Sequence, residues 1–368
     1  MAPVTAPSRG LFDPVQIGAV TTRNRICVPP MVLYGHAAED GMVTDVHVRH
    51  YEALAQGGAG LIIQEATCVL KNGRLREDQL GIWEDGHIPG LRRIVEAVHQ
   101  RGCPIFLQIH HAGVVGIGPE HLCPDRYCFH GKNGDVLGQK MTPADIEAVK
   151  AAFIAAGRRA YLAGYDGVEL HGCHSYLLCQ FLNRRVNQRE DRYGRRPVEL
   201  VTEIVEGIQQ VTDPSFVIGI RLGGFEPTLA DGIDHARYLA DHSIAFIDVS
   251  YGFAGEMDTT APGNPELPDT VRAADAIRRA VNIPVFAVGH IRLPEDAERV
   301  LRETEVDMVD VGRSILVDPS WANRARHGQK PGKCLDCRVC QWRVDAAKCP
   351  GRIQQRQTDQ NPAPHDCK

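Results

Sequence analysis

The sequence predicts an α/β fold in which eight parallel strands alternate with helices and close into a (β/α)8 barrel. Eight short apolar runs have strand character, and segments with helical periodicity lie between most of them. Parallel strands need crossover connections, and helices on the outside of the sheet cover the face that would otherwise be exposed. An open doubly wound sheet is the alternative, but no Gly-x-Gly-x-x-Gly follows the first strand candidate.

The strand and helix candidates follow one another in a regular order. The strand candidates are residues 25–29, 60–64, 104–109, 166–170, 216–221, 245–249, 284–288 and 307–311. The helix candidates are residues 47–56, 91–100, 143–163, 198–211, 233–241, 270–280 and 294–301. Residues 114–140 are long, irregular and rich in Gly and Pro, so we expect them to pass over the barrel mouth and not to form its wall.

Composition and charge restrict the class of protein. The 368 residues are 43% hydrophobic with a net charge of −5, which is typical of a soluble globular protein and disfavours a nucleic-acid partner. Residues 1–10 lack the apolar core of a signal peptide, and no run approaches the ~20 apolar residues of a membrane span. We therefore expect a cytoplasmic protein without membrane association, and a homo-oligomer.

The candidate chemistry lies at the end of the fourth strand candidate. There, His171-Gly-Cys-His174-Ser-Tyr176 separates an apolar strand from a run with helical spacing that begins at Leu177. Ligands of α/β folds bind beyond the carboxyl ends of the strands, so these side chains are candidates for binding or catalysis. Zinc is disfavoured, because a glycine interrupts the His-x-x-His pair and no glutamate follows the first histidine. Two structural histidines are the other alternative.

Further candidates follow the other strands. They are Pro30, Met31 and Tyr34 after the first strand, Ala66 after the second, Gln108 in the third, Arg221 in the fifth, Gly289 after the seventh, and Gly312 and Arg313 after the eighth. A glutamine and an arginine suit the carbonyl and amide edges of a heterocycle such as the pyrimidine end of a flavin. Glycines after the last two strands of a barrel are typical of a phosphate site.

Three segments carry a resemblance to a known family. LFDPVQIGAVTTRNRICVPPM, DGVELHGCHSYLLCQFLNRRVNQREDRYG and VDMVDVGRSIL resemble the Old Yellow Enzyme family of FMN-dependent oxidoreductases, and the likeness extends over about residues 11–327. The resemblance implies an FMN-containing barrel that takes hydride from NAD(P)H. It implies flavin-ring contacts from Pro30, Met31, Ala66, Gln108 and Arg221, and phosphate contacts from Gly289, Gly312 and Arg313. It also implies a substrate site formed by Tyr34, His171 and His174, with Tyr176 as proton donor.

The expected reaction is reduction of an activated carbon–carbon double bond. Two neutral imidazoles can donate hydrogen bonds to a carbonyl oxygen, and a phenol can supply the proton that the α-carbon needs. Two alternatives stay open: an oxidative dehydrogenase or demethylase of small N-methyl amines, and a non-catalytic electron-transfer protein. The amine dehydrogenases of this family generally have tyrosine where this chain has His171, which favours a carbonyl-bearing substrate.

Four cysteines near the end of the sequence indicate a metal site. Cys334, Cys337, Cys340 and Cys349 form Cys-x2-Cys-x2-Cys-x8-Cys-Pro, a spacing that resembles iron–sulfur ligation more than structural zinc. We expect a 4Fe-4S cluster, with zinc as the alternative. The placement resembles the larger relatives of the family, the trimethylamine dehydrogenases and 2,4-dienoyl-CoA reductases. The predicted domains are the barrel, residues 1–328, and a cysteine-rich tail, residues 329–368.

Two expectations concern partners and the other cysteines. Those larger relatives continue into dinucleotide-binding domains and this sequence ends at Lys368, so we expect direct reduction by NAD(P)H or exchange of single electrons with a carrier protein. A second possible metal group is His121, Cys123, Cys128 and His130. We expect packed or free thiols at Cys27, Cys68, Cys103, Cys173, Cys179 and Cys367.

Overall fold

The computed structural model describes residues 9–131, 134–242, 244–255 and 257–360. Its centre is a closed barrel of eight parallel strands, which confirms the predicted fold. We number the barrel strands β1 (Ile26–Val28), β2 (Leu61–Cys68), β3 (Ile105–His110), β4 (Gly167–Gly172), β5 (Val217–Gly223), β6 (Ile247–Ser250), β7 (Val285–Val288) and β8 (Met308–Asp310).

Each strand pairs with its neighbour in the sequence, and the last strand pairs with the first. The closing contact aligns Val309 of β8 with Ile26 of β1, so the alternative of an open sheet is wrong. Because all eight strands run in the same direction, their carboxyl ends meet at one mouth. That arrangement brings together side chains that are nearly 300 residues apart in the sequence.

Helices cover the outside of the barrel at the predicted places. They are Asp45–Gln56, Ile88–His99, Pro143–Ala163, Glu199–Gln209, Leu229–Ala240, Asp269–Arg278 and Pro294–Glu303, with the shorter Leu177–Leu182, Arg192–Arg195, Arg313–Val317 and Trp321–Arg326. Helix Pro143–Ala163 has the predicted bounds for a clear reason. The Thr142 and Asp145 side chains cap each other's backbone N–H groups at its start, and Gly164 ends it with a φ of 95°.

Successive side chains of each strand point alternately into and out of the barrel, so the inward-pointing ones form layers in its interior. Phe106, Phe246 and Phe286 stack near the amino ends of β3, β6 and β7, with ring centroids 5.4 and 4.9 Å apart. Ile17, from the hairpin Val15–Ile17 and Val20–Thr22, joins the same apolar cluster. Side chains two positions further along a strand share its face and lie nearer the mouth, and there the interior becomes polar.

Two segments lie outside the barrel wall. Residues 114–140 form the predicted excursion, and a three-stranded sheet of Leu122–Cys123, Tyr127–Gly131 and Gly134–Lys140 organises it. The tail includes the helices Gln341–Val344 and Pro350–Gln360, and it is attached to the barrel after β8. The attachment includes the Cys334 N–H, which donates to the Ser314 hydroxyl at 3.2 Å.

Some expectations fall at the chain ends. Cys367, residues 1–8 of the predicted barrel domain and residues 361–368 of the predicted tail lie outside the described residues. Among the helices that the structure describes, none has both the length and the apolar character needed to cross a bilayer.

Candidate active site

Two imidazoles meet where β4 ends. His171 continues the inward face that begins with Gly167 and Glu169, and its Nε2 lies 3.1 Å from Nδ1 of His174. The His174 Nε2 lies 2.8 Å from the Ser250 hydroxyl at the end of β6. His174 has a φ of 58° and Ser175 a φ of 65°, a left-handed turn that non-glycine residues seldom adopt. Such strain is typical of functional sites.

Both imidazoles are neutral at physiological pH. Burial lowers the pKa of His174 to about 3, and Arg221 lowers it further. Burial also lowers the pKa of His171 well below its usual value, with added effects from neighbouring His110 and His174. The Nδ1 atom of His171 is buried and has no hydrogen-bond partner. The pair therefore offers uncharged hydrogen-bonding nitrogens in a dry environment, which suits contact with a developing oxyanion.

Tyr176 is adjacent to this pair. It precedes helix Leu177–Leu182, and its ring centroid lies 4.7 Å from that of His171 and 4.5 Å from that of His110. Burial raises the pKa of its phenol above the usual value, so the hydroxyl carries its proton at neutral pH. The structure thus brings His171, His174 and Tyr176 together, as the motif predicts.

A cavity of about 320 Å³ opens beside His174 at the ends of β1, β5, β7 and β8. Six of the eight predicted cofactor residues line it: Pro30, Met31, Arg221, Gly289, Gly312 and Arg313. The other two are placed differently. Ala66 lies in β2, where its carbonyl accepts a hydrogen bond from Gln79 at 2.8 Å. Gln108 is buried beneath the mouth and donates to Glu169 at 2.7 Å.

The β7 and β8 end of the cavity is cationic. Arg292 and Arg313 line it, and both pair with the carboxylate of Asp336 from the tail. Gly289 has a φ of 154°, and a Cβ there would lie 2.8 Å from the Thr270 hydroxyl oxygen. Only glycine fits that position without displacement of its neighbours.

Arg221 forms the cationic floor of the cavity and is surrounded by carboxyl groups. Its guanidinium lies 3.1 Å from Asp248 and 3.7 Å from Asp310, and all three side chains are buried. Glu169, the partner of Gln108, completes the set. Burial raises the pKa of Glu169, Asp248 and Asp310, although Arg221 opposes the rise in each case.

These three carboxyl groups were not among the residues predicted from the sequence. Each lies between two large apolar residues, in Val-Glu-Leu, Ile-Asp-Val and Val-Asp-Val. A lone acidic residue in a buried strand is unusual, because an unpaired buried charge is costly. That signal was present in the sequence and points to a buried partner such as Arg221.

The cavity has the properties that FMN requires. Its volume falls within the range of ~300–1,000 Å³ that is usual for ligand pockets. Arg221 and the Arg292–Arg313 pair place positive charge at two separate ends of it. Arg221 and Asp310 both line it, so a donor and an acceptor side chain face the ring end of the cavity. These groups suit a ligand that has a polar heterocycle at one end and a phosphate at the other.

Tyr34 lies outside this cavity. It lines a second cavity between the barrel and the tail, where the Arg76 and Arg343 guanidiniums lie 5.0 and 5.6 Å from its ring centroid. Burial is the main cause of the raised Tyr176 pKa, to which the Tyr34 phenol adds a smaller rise that Arg343 opposes.

The tail cysteines share one small cavity. Cys334, Cys337, Cys340 and Cys349 all line a space of about 60 Å³. Across the described part of the chain, the groups with three or more potential metal ligands within 4.8 Å of one another are His171–Cys173–His174 and Cys128–His130–Asp135. Neither group contains a tail cysteine.

The four residues of the second possible metal group do not come together as predicted. Cys123 is fully buried, and His121 lies with its Nδ1 3.2 Å from the Val114 carbonyl oxygen. Cys128 and His130 lie on the exposed hairpin beside Asp135, because alternate residues of one strand share a face and Asp135 is opposite His130. The other predicted thiols, Cys27, Cys68, Cys103, Cys173 and Cys179, are free and buried.

Comparisons with known proteins agree with this geometry. The NADH:flavin oxidoreductase / NADH oxidase family matches residues 10–331. An NADPH dehydrogenase of Geobacillus sp. (strain WCH70) is 36% identical over 318 residues, 84% of this chain and 92% of its own length. An NADH oxidase of Thermoanaerobacter brockii is 36% identical over 348 residues, 89% of this chain and 53% of its own length. The chain thus spans about half the length of this second relative.

Solved structures confirm the fold. Morphinone reductase superimposes with a TM-score of 0.74 at 24% identity, over 90% of this chain and 93% of its own. A 2-naphthoyl-CoA reductase superimposes with a TM-score of 0.79 at 22% identity, over 89% of this chain and 54% of its own. With the family match over residues 10–331, the chain belongs to the NADH:flavin oxidoreductase / NADH oxidase family and is an FMN-dependent NAD(P)H oxidoreductase.

Proposed function

We propose that the protein reduces the activated carbon–carbon double bond of an enone-type substrate. The observation that carries this proposal is the neutral imidazole pair of His171 and His174 beside the protonated phenol of Tyr176. The two imidazoles supply hydrogen-bond donors for the substrate carbonyl oxygen, and the phenol supplies the proton for the α-carbon. Enone reduction requires both of these from the protein.

FMN, when bound and reduced by NAD(P)H, supplies the hydride. Pro30, Met31, Ala66, Gln108 and Arg221 are proposed to hold its ring, and Gly289, Gly312 and Arg313 its phosphate. Support comes from the cavity that six of these residues line. The buried Arg221 carries positive charge toward the ring end, and Arg313 carries it toward the phosphate end.

His171 and His174 are proposed to hold the substrate carbonyl. In the structure described here the two rings contact each other, and His174 also contacts Ser250. A carbonyl oxygen that enters the site accepts hydrogen bonds that these rings otherwise exchange among themselves. Because both rings are neutral, charge that develops on the oxygen is stabilised by preorganised dipoles without the cost of burying a cation.

Tyr176 is proposed to deliver the proton, so Tyr176→Phe should slow the second half of the reaction. General-acid catalysis contributes about 10²–10⁴-fold, and a loss of that size is expected in the rate at which an enone reoxidises the reduced enzyme. Stopped-flow measurement of flavin absorbance separates the two halves. Reduction by NAD(P)H should keep the wild-type rate, and an unchanged rate of reoxidation would exclude this role for Tyr176.

An anaerobic titration tests the function itself. The flavin absorbance of the purified holoenzyme is followed as NADH, NADPH or trimethylamine is added. Bleaching by a nicotinamide that an enone reverses supports the proposal. Bleaching by the amine alone would show that the enzyme works as an amine dehydrogenase, with a carrier protein to accept the electrons. Bleaching by a nicotinamide that no small molecule reverses would indicate an electron-transfer protein.

We also propose that the tail binds a 4Fe-4S cluster through Cys334, Cys337, Cys340 and Cys349. The shared cavity supports one common ligand. Four thiolates at ~2.3 Å from one zinc ion would lie about 3.8 Å apart, whereas among the described residues no three of the tail sulfurs all lie within 4.8 Å of one another. A cluster holds its thiolates farther apart, because iron and sulfide ions lie between them.

Metal analysis checks this assignment. Anaerobically purified protein is expected to contain about four irons and four acid-labile sulfides per chain, as for a [4Fe–4S] centre. Cys337→Ser should remove most of this iron, because it deletes one of the four proposed cluster ligands. Cys337 is exposed, so the substitution should disturb packing little. Cys128→Ser, also at an exposed cysteine, is the control and should keep it. One zinc per chain without iron would overturn the assignment.

A further inference from the structure

A large cavity lies between the barrel and the tail and has no role in the function proposed above. Its volume is about 680 Å³. One wall is a face of helix Asp45–Gln56, another is the loop after β1 that carries Tyr34, and the third is the tail segment from Trp342 to Ala346. The cavity therefore exists only because the tail folds back against the barrel.

The lining is strongly basic. Arg49, Arg76, Arg343 and Arg352 line the cavity, against one carboxylate, Asp345, which has Lys348 as a partner at 3.6 Å. Arg76 pairs with Asp78 outside the lining at 2.8 Å. In the parts of the chain that are described, the other three arginines have no carboxylate within ion-pair distance. Several arginines without counter-charges around one cavity favour an anionic ligand.

The rest of the lining indicates a ligand larger than a simple ion. Tyr34 and Trp342 provide aromatic surface, and the Trp342 ring lies 6.1 Å from that of His50. The indole N–H of Trp342 is buried and has no hydrogen-bond partner. A donor of this kind is costly unless a ligand or water satisfies it. The volume is in the range for an organic ligand, well above the needs of one phosphate.

The cavity is adjacent to the cofactor cavity, because one segment lines both. Of the residues after β1, Met31 lines the cofactor cavity beside His174, and Tyr34 lines the basic one. A molecule with its charged end among the arginines can therefore extend past this segment toward the imidazole pair. This geometry links the basic cavity to the reaction and distinguishes it from an isolated charged surface.

We propose that this cavity binds the phosphate or diphosphate group of a reactant whose reactive end lies at the imidazole pair. The inference deepens the proposed function and rests on it for the identity of the reactive end. Two reactants can carry such a group: the nicotinamide donor, or a substrate in which an unsaturated acyl group is attached to a phosphorylated carrier. Arg49 and Arg343 make the central contribution, because neither has a carboxylate partner and they approach from opposite walls, whereas Arg352 donates to the Leu316 carbonyl at 3.2 Å.

Direct binding tests the site without turnover. Inorganic pyrophosphate is titrated into the full-length holoenzyme by calorimetry, and into the double variant R49Q/R343Q. We expect pyrophosphate to bind the wild type and to lose at least about tenfold in affinity in the variant, with weaker binding at high salt. R158Q removes an exposed arginine from helix Pro143–Ala163, away from the cavity, and should bind like the wild type. No binding to the wild type, or equal binding to R49Q/R343Q, would overturn the proposal.

Kinetics then identifies which reactant carries the group. A rise in KM for NADH or NADPH in R49Q/R343Q, with unchanged KM for a small neutral enone, assigns the cavity to the nicotinamide donor. A rise in KM only for an unsaturated thioester of a phosphorylated carrier, and not for the same acyl group on a neutral thiol, assigns it to the substrate. If pyrophosphate binds but no enone is reduced, the reaction proposed above fails while the anion site stands.

Discussion

The double variant H171A/H174A is expected to lose at least about 10³-fold in kcat/KM for an enone while FMN stays bound. Removal of a single oxyanion-site donor lowers kcat by about 10²–10³-fold. The two imidazoles act on one oxygen, so the effects of removing them do not simply add. FMN should remain because neither side chain pairs with the cationic groups of the cofactor cavity. The measurements are the flavin content of the purified variant and the rate at which an enone reoxidises the reduced enzyme.

Two further variants make this result specific. H171N/H174N keeps a hydrogen-bond donor at each position and should recover part of the activity, which removal of bulk alone would not explain. H235A removes a histidine of helix Leu229–Ala240, whose pKa burial also lowers to about 4, and it should react like the wild type. Wild-type rates in H171A/H174A would exclude the proposed carbonyl site.

Loss of the buried cation should have the second largest effect. Arg221→Met leaves Glu169, Asp248 and Asp310 in the barrel without their compensating charge. Removal of one partner from a buried ion pair costs about 3–5 kcal/mol, and we expect the free energy of unfolding to fall by that amount at pH 8. FMN affinity should fall too, because Arg221 lines the cofactor cavity. Urea unfolding and flavin titration measure the two effects.

The loss should depend on pH in a defined direction. Burial raises the folded-state pKa values of Glu169, Asp248 and Asp310 above their unfolded values, so between those values the folded protein binds more protons than the unfolded chain. Stability therefore falls as the pH rises through that window. Without Arg221 the pKa values rise further, so the variant should be less destabilised at pH 6 than at pH 8.

Matched changes separate a charge effect from a packing effect. R221M/D248N removes a charge from each side of the pair and should regain part of the lost stability, because the remaining buried groups are more nearly neutral. R158M removes an exposed arginine and should change stability little. An equal loss at pH 6 and pH 8, without recovery in R221M/D248N, would show that Arg221 acts through packing alone.

Periodicity in the sequence was enough to place every barrel strand to within a few residues. The reason is physical: a strand that is covered by helices on one side and by the barrel interior on the other is almost wholly apolar, and its helices carry a single apolar stripe. Helix Pro143–Ala163 was predicted with its observed bounds because Thr142 and Gly164 are local signals at its two ends. Such signals need no information about distant parts of the chain.

The candidate site was predictable to the extent that its residues follow strands. Parallel closure sends Met31, Arg221, Gly289 and Arg313 to one mouth, and all four line one cavity. Gln108 and Ala66 show the limit of this reasoning. The pairing register of a strand decides whether a residue faces inward or outward and how deep in the barrel it lies. Gln108 lies below the cavity, where its side chain donates a hydrogen bond to Glu169.

The barrel, the motif with its two imidazoles and phenol, and the four-cysteine pattern could be read from the sequence, because each depends on the order and spacing of neighbouring residues. Which charges meet depends on the tertiary structure. Arg221 lies among Asp248, Asp310 and Glu169, and Arg313 meets the tail's Asp336, because side chains distant in sequence are brought together by barrel closure and by the return of the tail. Their energies depend on burial and on distances of a few ångströms, and neither can be read from residue spacing.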